Sequence, residues 1–380
     1  MRIAIFTDSY KPQINGLVRS LELFNKELRK KGHKIYIIAP KVPNYKDKEK
    51  GVFRTSSIEL ESYKEYRIAF PFRTVIDFPI KADVIHIQSP FSMGLAGLAV
   101  AKSKKISSIG TFHTMFSEYM HYFFSKRLLK SKRFKKMLKK GLWKYLIWFY
   151  NRCDVVIAPT EQIKKILIKK GLKSKIVVIP TGVEIKNIKK SKTKLREKYG
   201  FSINDKILLH VGRITKEKNI EFIISSLKDL LKDNKHKLII ASDGPYKETL
   251  AKIAEKIGIK TIFFTGYLDE DKLNDYYRLS DLFVMASKTE TQGLVLLEAV
   301  NNELPVVVLD APVISDFVKE NNIGLIAKKY DFSNKVKTLA ESKELRNKFL
   351  KNFKKVSEKY DIKICAENLE NVYKELSNKS

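Results

Sequence analysis

The sequence is poor in residues that staple or anchor a chain. Two cysteines occur in 380 residues, and Cys153 has no CxxC partner. That argues against a disulfide framework or a cysteine-based zinc site and fits a reducing compartment. No run of about 18 uncharged apolar residues is present, so no segment reads as crossing a bilayer and any membrane contact is made from one side. The start, MRIAIFTDSY, has too short an apolar run for a signal peptide and reads as a first strand. No GxGxxG follows the early strands and no GxxxxGK[ST] occurs, which disfavours dinucleotide and P-loop chemistry. Acids are scarce too. Asp and Glu number 42 against 74 Lys and Arg, a formal net charge of +32. Such an excess implies an anionic partner, either nucleic acid or an acidic membrane surface. A compositional bias toward Lys, Asn and Ile would give the same excess with no partner.

What is present suits packed cores, since 44% of the residues are hydrophobic. Short apolar runs alternate with helical periodicity. Residues 2–6, 34–39, 83–87, 106–111, 154–158 and 176–180 read as strands, with helices over 17–30 and 93–102 among the connections. A second series follows: strands at 206–211, 237–241, 261–265, 281–285, 305–309 and 324–327, with helices at 219–231, 245–257 and 270–279. Such alternation predicts parallel sheets covered on both faces. The expected organisation is an α/β chain of two Rossmann-like domains, 1–185 and 186–360, with a charged linker near 185–200. Residues 361–380 are expected to form an amphipathic helix that caps the second domain or crosses back to the first. A cleft between two such domains is the default ligand site.

Five constellations carry chemistry. In 286–299, ASKTETQGLVLLEA, Gly293 stands where a helix should begin, and backbone N–H groups there suit a diphosphate. Glu290 precedes that helix, and Glu298 follows eight residues later, inside it. Two fixed carboxylates accept hydrogen bonds from sugar hydroxyls, although ordinary helix-surface acids read the same way. In 211–219, VGRITKEKN, Arg213 and Lys218 follow a strand and suit a diphosphate leaving group; a basic loop in a basic protein is the plainer reading. In 7–19, TDSYKPQINGLVR, Gly16 permits close backbone approach, and Asp8 either meets an acceptor hydroxyl or caps a turn. His113 of TFHT, 111–114, stands just past a strand, placed for a hexose hydroxyl or for a structural role, whereas His86 reads as core.

The fifth is 119–153, with eleven Lys or Arg residues and no acid. Lys132, Arg133, Lys135, Lys136, Lys139 and Lys140 surround a stripe of Phe134, Met137, Leu138 and Leu142. Trp143 and further aromatics follow. An apolar face with Trp and many cations suits an anionic lipid interface. A solvated helix with a core face also fits. Aromatics beside cations suit nucleic acid as well, but no nucleic-acid module accompanies them.

Taken together, these residues resemble the family 4 retaining glycosyltransferases of the GT-B fold, and among them the bacterial diacylglycerol glucosyl- and galactosyltransferases. The resemblance spans most of the chain. It rests chiefly on Glu290 to Glu298, an E-x7-E pair in ETQGLVLLEA. FTDSYKPQINGLVRS, FSMG at 91–94, TFHT, APT at 158–160, PTGV at 180–183, VGRITKEKN and DGP at 243–245 support it. It implies two Rossmann-like domains facing each other across a cleft and a UDP-glucose or UDP-galactose donor. Arg213 and Lys218 would bind the diphosphate, Glu298 the ribose and Glu290 the hexose, with Gly293 and Leu294 in the donor site. Gly16 would lie against the donor, and His113 would orient the hexose. No metal is implied, because Arg and Lys carry the charge stabilisation. Implied partners are diacylglycerol or a related lipid and an anionic membrane surface, with no nucleic acid. The implied location is the cytoplasmic face of the cell membrane, as a peripheral protein. Two positions depart from the pattern: Ser242 stands where many relatives have Gly before DGP, and Val313 where a Gly often follows Ala-Pro.

Overall fold

The computed structural model describes residues 1–60, 67–116, 131–185 and 190–378. The chain divides into two compact units. One is Met1–Gly182 with Ile362–Ser380; the other is Val183–Asp361.

The first unit runs β1 (Arg2–Phe6), α1 (Gly16–Lys30), β2 (Lys34–Pro40), β3 (Val52–Thr55), β4 (Ser57–Glu59), β5 (Arg67–Ala69), α2 (Phe72–Ile76), β6 (Val84–Ile87), α3 (Ser92–Lys104), β7 (Ser108–Thr111), α4 (Lys132–Tyr150), β8 (Val155–Ala158), α5 (Glu161–Lys169) and β9 (Lys175–Val178). Seven strands form one sheet in the order β3-β2-β1-β6-β7-β8-β9. Every pairing in it is parallel. Both faces of the strands are covered, so β8 and β1 after Arg2 read as apolar runs rather than alternating ones, and every residue of β6 and β7 is buried, His86, Ser108 and Thr111 included. The glycines of α3 have a packing reason. A Cβ at Gly97 would lie 2.9 Å from Ile87 Cγ1, and one at Gly94 would lie 1.9 Å from the Ser89 carbonyl. Only a helix without side chains there can sit this close to the sheet.

The second unit runs α6 (Lys192–Lys198), β10 (Lys206–Val211), a 3₁₀ turn (Lys216–Lys218), α7 (Ile220–Ser226), α8 (Lys228–Leu231), β11 (His236–Ala241), α9 (Lys247–Lys256), β12 (Ile262–Phe264), α10 (Glu270–Leu279), β13 (Leu282–Met285), α11 (Leu294–Asn301), β14 (Val306–Leu309), α12 (Ile314–Asn321), β15 (Gly324–Ala327), α13 (Phe332–Glu341) and α14 (Lys343–Lys359). Its sheet order is β12-β11-β10-β13-β14-β15, again parallel throughout.

The last helix, α15 (Ile362–Ser377), belongs to the first unit. Its Leu369, Val372, Tyr373 and Leu376 join Leu21 and Leu28 of α1 in one core. Glu370 accepts hydrogen bonds from Lys31 at 2.8 Å and Lys374 at 2.6 Å.

Two expectations need correction. The charged stretch at 185–200 is not a plain linker. Lys192–Lys198 is a helix of the second unit, because Leu195 and Arg196 are buried and the Arg196 guanidinium bonds Asp281 at 2.7 Å. The helix expected over 219–231 is divided at Leu227 into two short helices, and a 3₁₀ turn precedes it. Asn219, in the left-handed region at φ +57°, separates that turn from the first helix, a conformation Asn tolerates better than most residues. Residues 117–130, the first part of the basic segment, lie outside the described residues.

Candidate active site

In the second unit the chain leaves β10 in one direction, through β11 and β12, and returns to build β13, β14 and β15 on the other side. Loops leaving β10 and β13 therefore diverge, which makes a crevice at the carboxyl ends of those strands. The loop after β10 carries Gly212, Arg213 and Lys218. The loop after β13 carries Glu290. They are tied together where Asn219 Nδ2 donates to the Ala286 carbonyl at 3.2 Å.

At this point Lys218 Nζ donates to Glu290 Oε1 at 2.5 Å. Both side chains are mostly but not fully covered. Burial works against ionisation of Glu290, but the Lys218 charge and hydrogen bond win and hold its pKa below the usual carboxylate range. The pair is thus ionic.

Gly293 caps the start of α11 at φ +81°. A Cβ there would lie 2.7 Å from Ile314 Cδ1, so both the backbone and the space demand glycine. Leu294 is the first residue of the helix, whose leading N–H groups have no intrahelical partner and favour an anion. Glu298 accepts from the buried Tyr277 hydroxyl at 2.9 Å, which fixes one oxygen of that carboxylate. The DGP turn is pinned to the Arg213 loop, since Ile214 N–H donates to Asp243 O at 2.9 Å and Tyr246 N–H to Ile214 O at 3.1 Å. Val313 is strained. Its φ of +69° and ψ of −53°, with Ile314 N–H donating to Pro312 O at 2.9 Å, make a three-residue turn that β-branched residues rarely adopt.

In the first unit the strand order reverses between β1 and β6. Asp8, read from the sequence as either an acceptor-side candidate or a turn cap, makes the cap. Its carboxylate accepts from Ser89 Oγ at 2.6 Å, Ser92 Oγ at 2.7 Å and the Met93 N–H at 3.0 Å, so it ties the β1 and β6 loops and caps α3. Gly16 opens α1 behind the Asn15 cap, and a Cβ there would meet nothing within 4 Å. Among the described residues no packing reason requires that glycine.

His113 stands at the end of β7, half-buried, with Nε2 bonded to Gln88 Oε1 at 2.6 Å. Burial lowers its pKa to about 4, so it is neutral at pH 7. His86 is core, held by Tyr373 and Thr111, both at 2.6 Å. His113, His86, Thr111, Tyr373 and Asn25 line one cavity beneath α1 and α15. Asn25 is buried, and neither of its amide atoms has a partner among the described residues. Sequence reasoning missed Asn25, although its spacing from Leu21 and Leu28 puts it on the buried face of α1. It also missed His210, hidden in the apolar run of β10.

The basic helix α4 exposes Lys132, Arg133, Lys135, Lys136, Met137 and Lys140, while Phe134, Leu138, Lys139 and Leu142 are half-buried. Trp143, expected on the membrane-facing surface, is buried instead and stacks on Phe112 at 6.1 Å. The exposed tryptophan is Trp148, with the Arg152 guanidinium 4.0 Å over its ring. Helical phase explains the exchange, because the face that carries Trp143 also carries Leu146, Phe149 and Tyr150 onto the sheet.

Comparison with known proteins agrees with this geometry. The "Glycosyltransferase Family 4" description matches residues 14–187, and "Glycosyl transferases group 1" matches 191–356. The chain is 32% identical to the alpha-monoglucosyldiacylglycerol synthase of Acholeplasma laidlawii, over 100% of this chain and 98% of that one. It is 33% identical to the enzyme of the same name from Streptococcus pneumoniae, over 86% and 75%. Among solved structures, sucrose-phosphate synthase from Thermosynechococcus elongatus aligns with a TM-score of 0.80, at 17% identity and 100% of both chains. Anabaena HepE in complex with UDP-glucose aligns with a TM-score of 0.79, at 17% identity, over 99% and 100%. The fold is GT-B.

Proposed function

Because the chain belongs to glycosyltransferase family 4, we propose that it moves glucose or galactose from a UDP-sugar to the 3-hydroxyl of 1,2-diacylglycerol, with retention at the anomeric carbon. The observation that carries this reading is the Lys218–Glu290 ion pair at the strand-order reversal of the second unit. It joins a cation suited to a diphosphate to a carboxylate suited to sugar hydroxyls. The diacylglycerol acceptor rests on the two glucosyldiacylglycerol synthases that resemble this chain over most of its length.

In this reading Lys218 and Arg213 neutralise the diphosphate, and the N–H groups of Gly293 and Leu294 add to that charge. Glu290 holds the hexose and Glu298 the ribose. Neutral His113 and the open backbone at Gly16 are the first unit's share of the site residues. The bond from the anomeric carbon to the diphosphate oxygen breaks, and a bond from that carbon to the glycerol oxygen forms on the same face. The acceptor proton passes to the departing diphosphate. No protein nucleophile and no metal enter these steps. The exposed cations of α4 would seat the enzyme on the anionic cytoplasmic face of the membrane as a peripheral protein, within reach of its lipid.

UDP release, measured with either UDP-hexose and vesicles carrying diacylglycerol, tests the acceptor. Turnover with diacylglycerol is expected. Turnover only with a polyprenyl-linked sugar, a phosphoinositide or a sterol would move the reading to that acceptor class.

A further inference from the structure

His210 is an anomaly in β10. Its neighbours Ile207, Leu208, Leu209 and Val211 are apolar and buried, and His210 is itself only 1% exposed. Its ring stacks on Phe283 at 6.3 Å, and Nδ1 meets the Val284 carbonyl at 2.9 Å. A carbonyl only accepts, so Nδ1 carries the proton and Nε2 carries a lone pair. That lone pair has no partner among the described residues. A buried acceptor left in this state is costly, and water does not reach it.

The surroundings of Nε2 give it a direction. A Cβ built on Gly212 would lie 3.8 Å from Nε2 and 4.0 Å from Lys218 Cε. The imidazole and the Lys218 stem therefore border the same small space, kept clear by a glycine at φ +145°. A phosphate oxygen has no hydrogen to give Nε2, whereas the Lys218 ammonium, bonded to Glu290, is a donor with three hydrogens.

We propose that His210 is a positioning residue for the donor site, whose Nε2 accepts a hydrogen bond from the Lys218 ammonium when a nucleoside diphosphate is bound. With Glu290 and His210 as two acceptors and the diphosphate as the third, all three ammonium hydrogens are assigned and the point charge is aimed. The ring stays neutral in this role, because burial brings its pKa to about 4, with the nearby Lys218 charge adding to that lowering. The inference deepens the donor-site reading above and rests on it.

The test compares two variants. His210→Asn keeps an amide donor where Nδ1 stands and puts nothing at Nε2. His210→Gln keeps a polar atom at the Nε2 position. UDP binding is measured by calorimetry for both, for Lys218→Ala and for the double variant of His210→Asn with Lys218→Ala. Thermal melts monitor folding. The expected result is a roughly tenfold loss for His210→Asn, near-normal binding for His210→Gln, and a double variant no weaker than Lys218→Ala alone. Additive losses, or equal losses in the Asn and Gln variants, would overturn the proposal. Unchanged UDP affinity with weakened UDP-glucose affinity would overturn it too, by assigning the lone pair to a hexose hydroxyl. If Lys218→Ala itself binds UDP normally, the donor-site reading fails first and this one with it. Should His210→Asn not fold, ¹⁵N-histidine spectra of the wild-type chain decide. The Nε2 resonance should move on UDP addition as its lone pair takes a hydrogen bond, and a static resonance contradicts the proposal.

Discussion

Glu290 stays charged against its own burial because Lys218 is 2.5 Å away, and neither group is comfortable without the other. Lys218→Ala or Glu290→Gln should therefore lower kcat/KM by about 100-fold or more, the usual scale for removing one group that stabilises transition-state charge. Steady-state kinetics with a saturating lipid acceptor check this, with vesicle binding as the control. The motif spacing made Glu290, Glu298, Arg213 and Lys218 legible as a set. That Lys218 pairs with Glu290 rather than lying apart was not legible, since 71 residues and three strands separate them. For Asp8 two roles stayed open in the sequence, and Trp143 was placed on the wrong surface. A residue type suggests a role, but only the fold shows that Ser89, Ser92 and Met93 already occupy the Asp8 carboxylate and that Phe112 already covers Trp143.

At the scale of elements, α11 and α4 carry the two halves of the proposed reaction. The start of α11 depends on Gly293, where any side chain meets Ile314 and any L-residue is strained at φ +81°. Gly293→Val should cost about 2 kcal/mol of stability and displace the leading N–H groups. Urea unfolding and UDP calorimetry should then both report losses; normal UDP affinity would remove α11 from the donor site. On α4, Glu at positions 132, 135, 136 and 140 should abolish flotation with anionic vesicles while leaving the melt unchanged, because these four cations are exposed. Equal flotation would take that role from the helix. Strand positions were legible to within a residue or two, since buried parallel strands are apolar runs. The short β3, β4, β5 and α2 were not, because they carry no such run and their exposed residues obey no period.

Over the whole molecule, three of the histidines report on acid stability together. Burial lowers the pKa of His86 to about 3 and brings those of His113 and His210 to about 4. An unfolded histidine titrates near 6.5, so between about pH 6.5 and 4 the unfolded chain binds protons that the folded chain refuses. Stability must fall as pH falls through that window. The melting temperature should thus drop between pH 7 and pH 5, well above the range where carboxylates protonate; a flat profile would mean that these rings are protonated in the folded state. The excess of 32 positive charges was plain in the sequence, but its placement was not. Nor was the return of α15 to the first unit settled there, since an amphipathic helix shows that it packs without showing against what.

The most direct measurement is mass spectrometry of the lipid formed from UDP-glucose or UDP-galactose and diacylglycerol vesicles, by the wild-type chain and by Glu290→Gln at equal vesicle occupancy. Monohexosyl diacylglycerol from the wild type, with about a hundredfold less from the variant, is the expected result. No hexosyl diacylglycerol from the wild type, or equal amounts from both, would contradict the account.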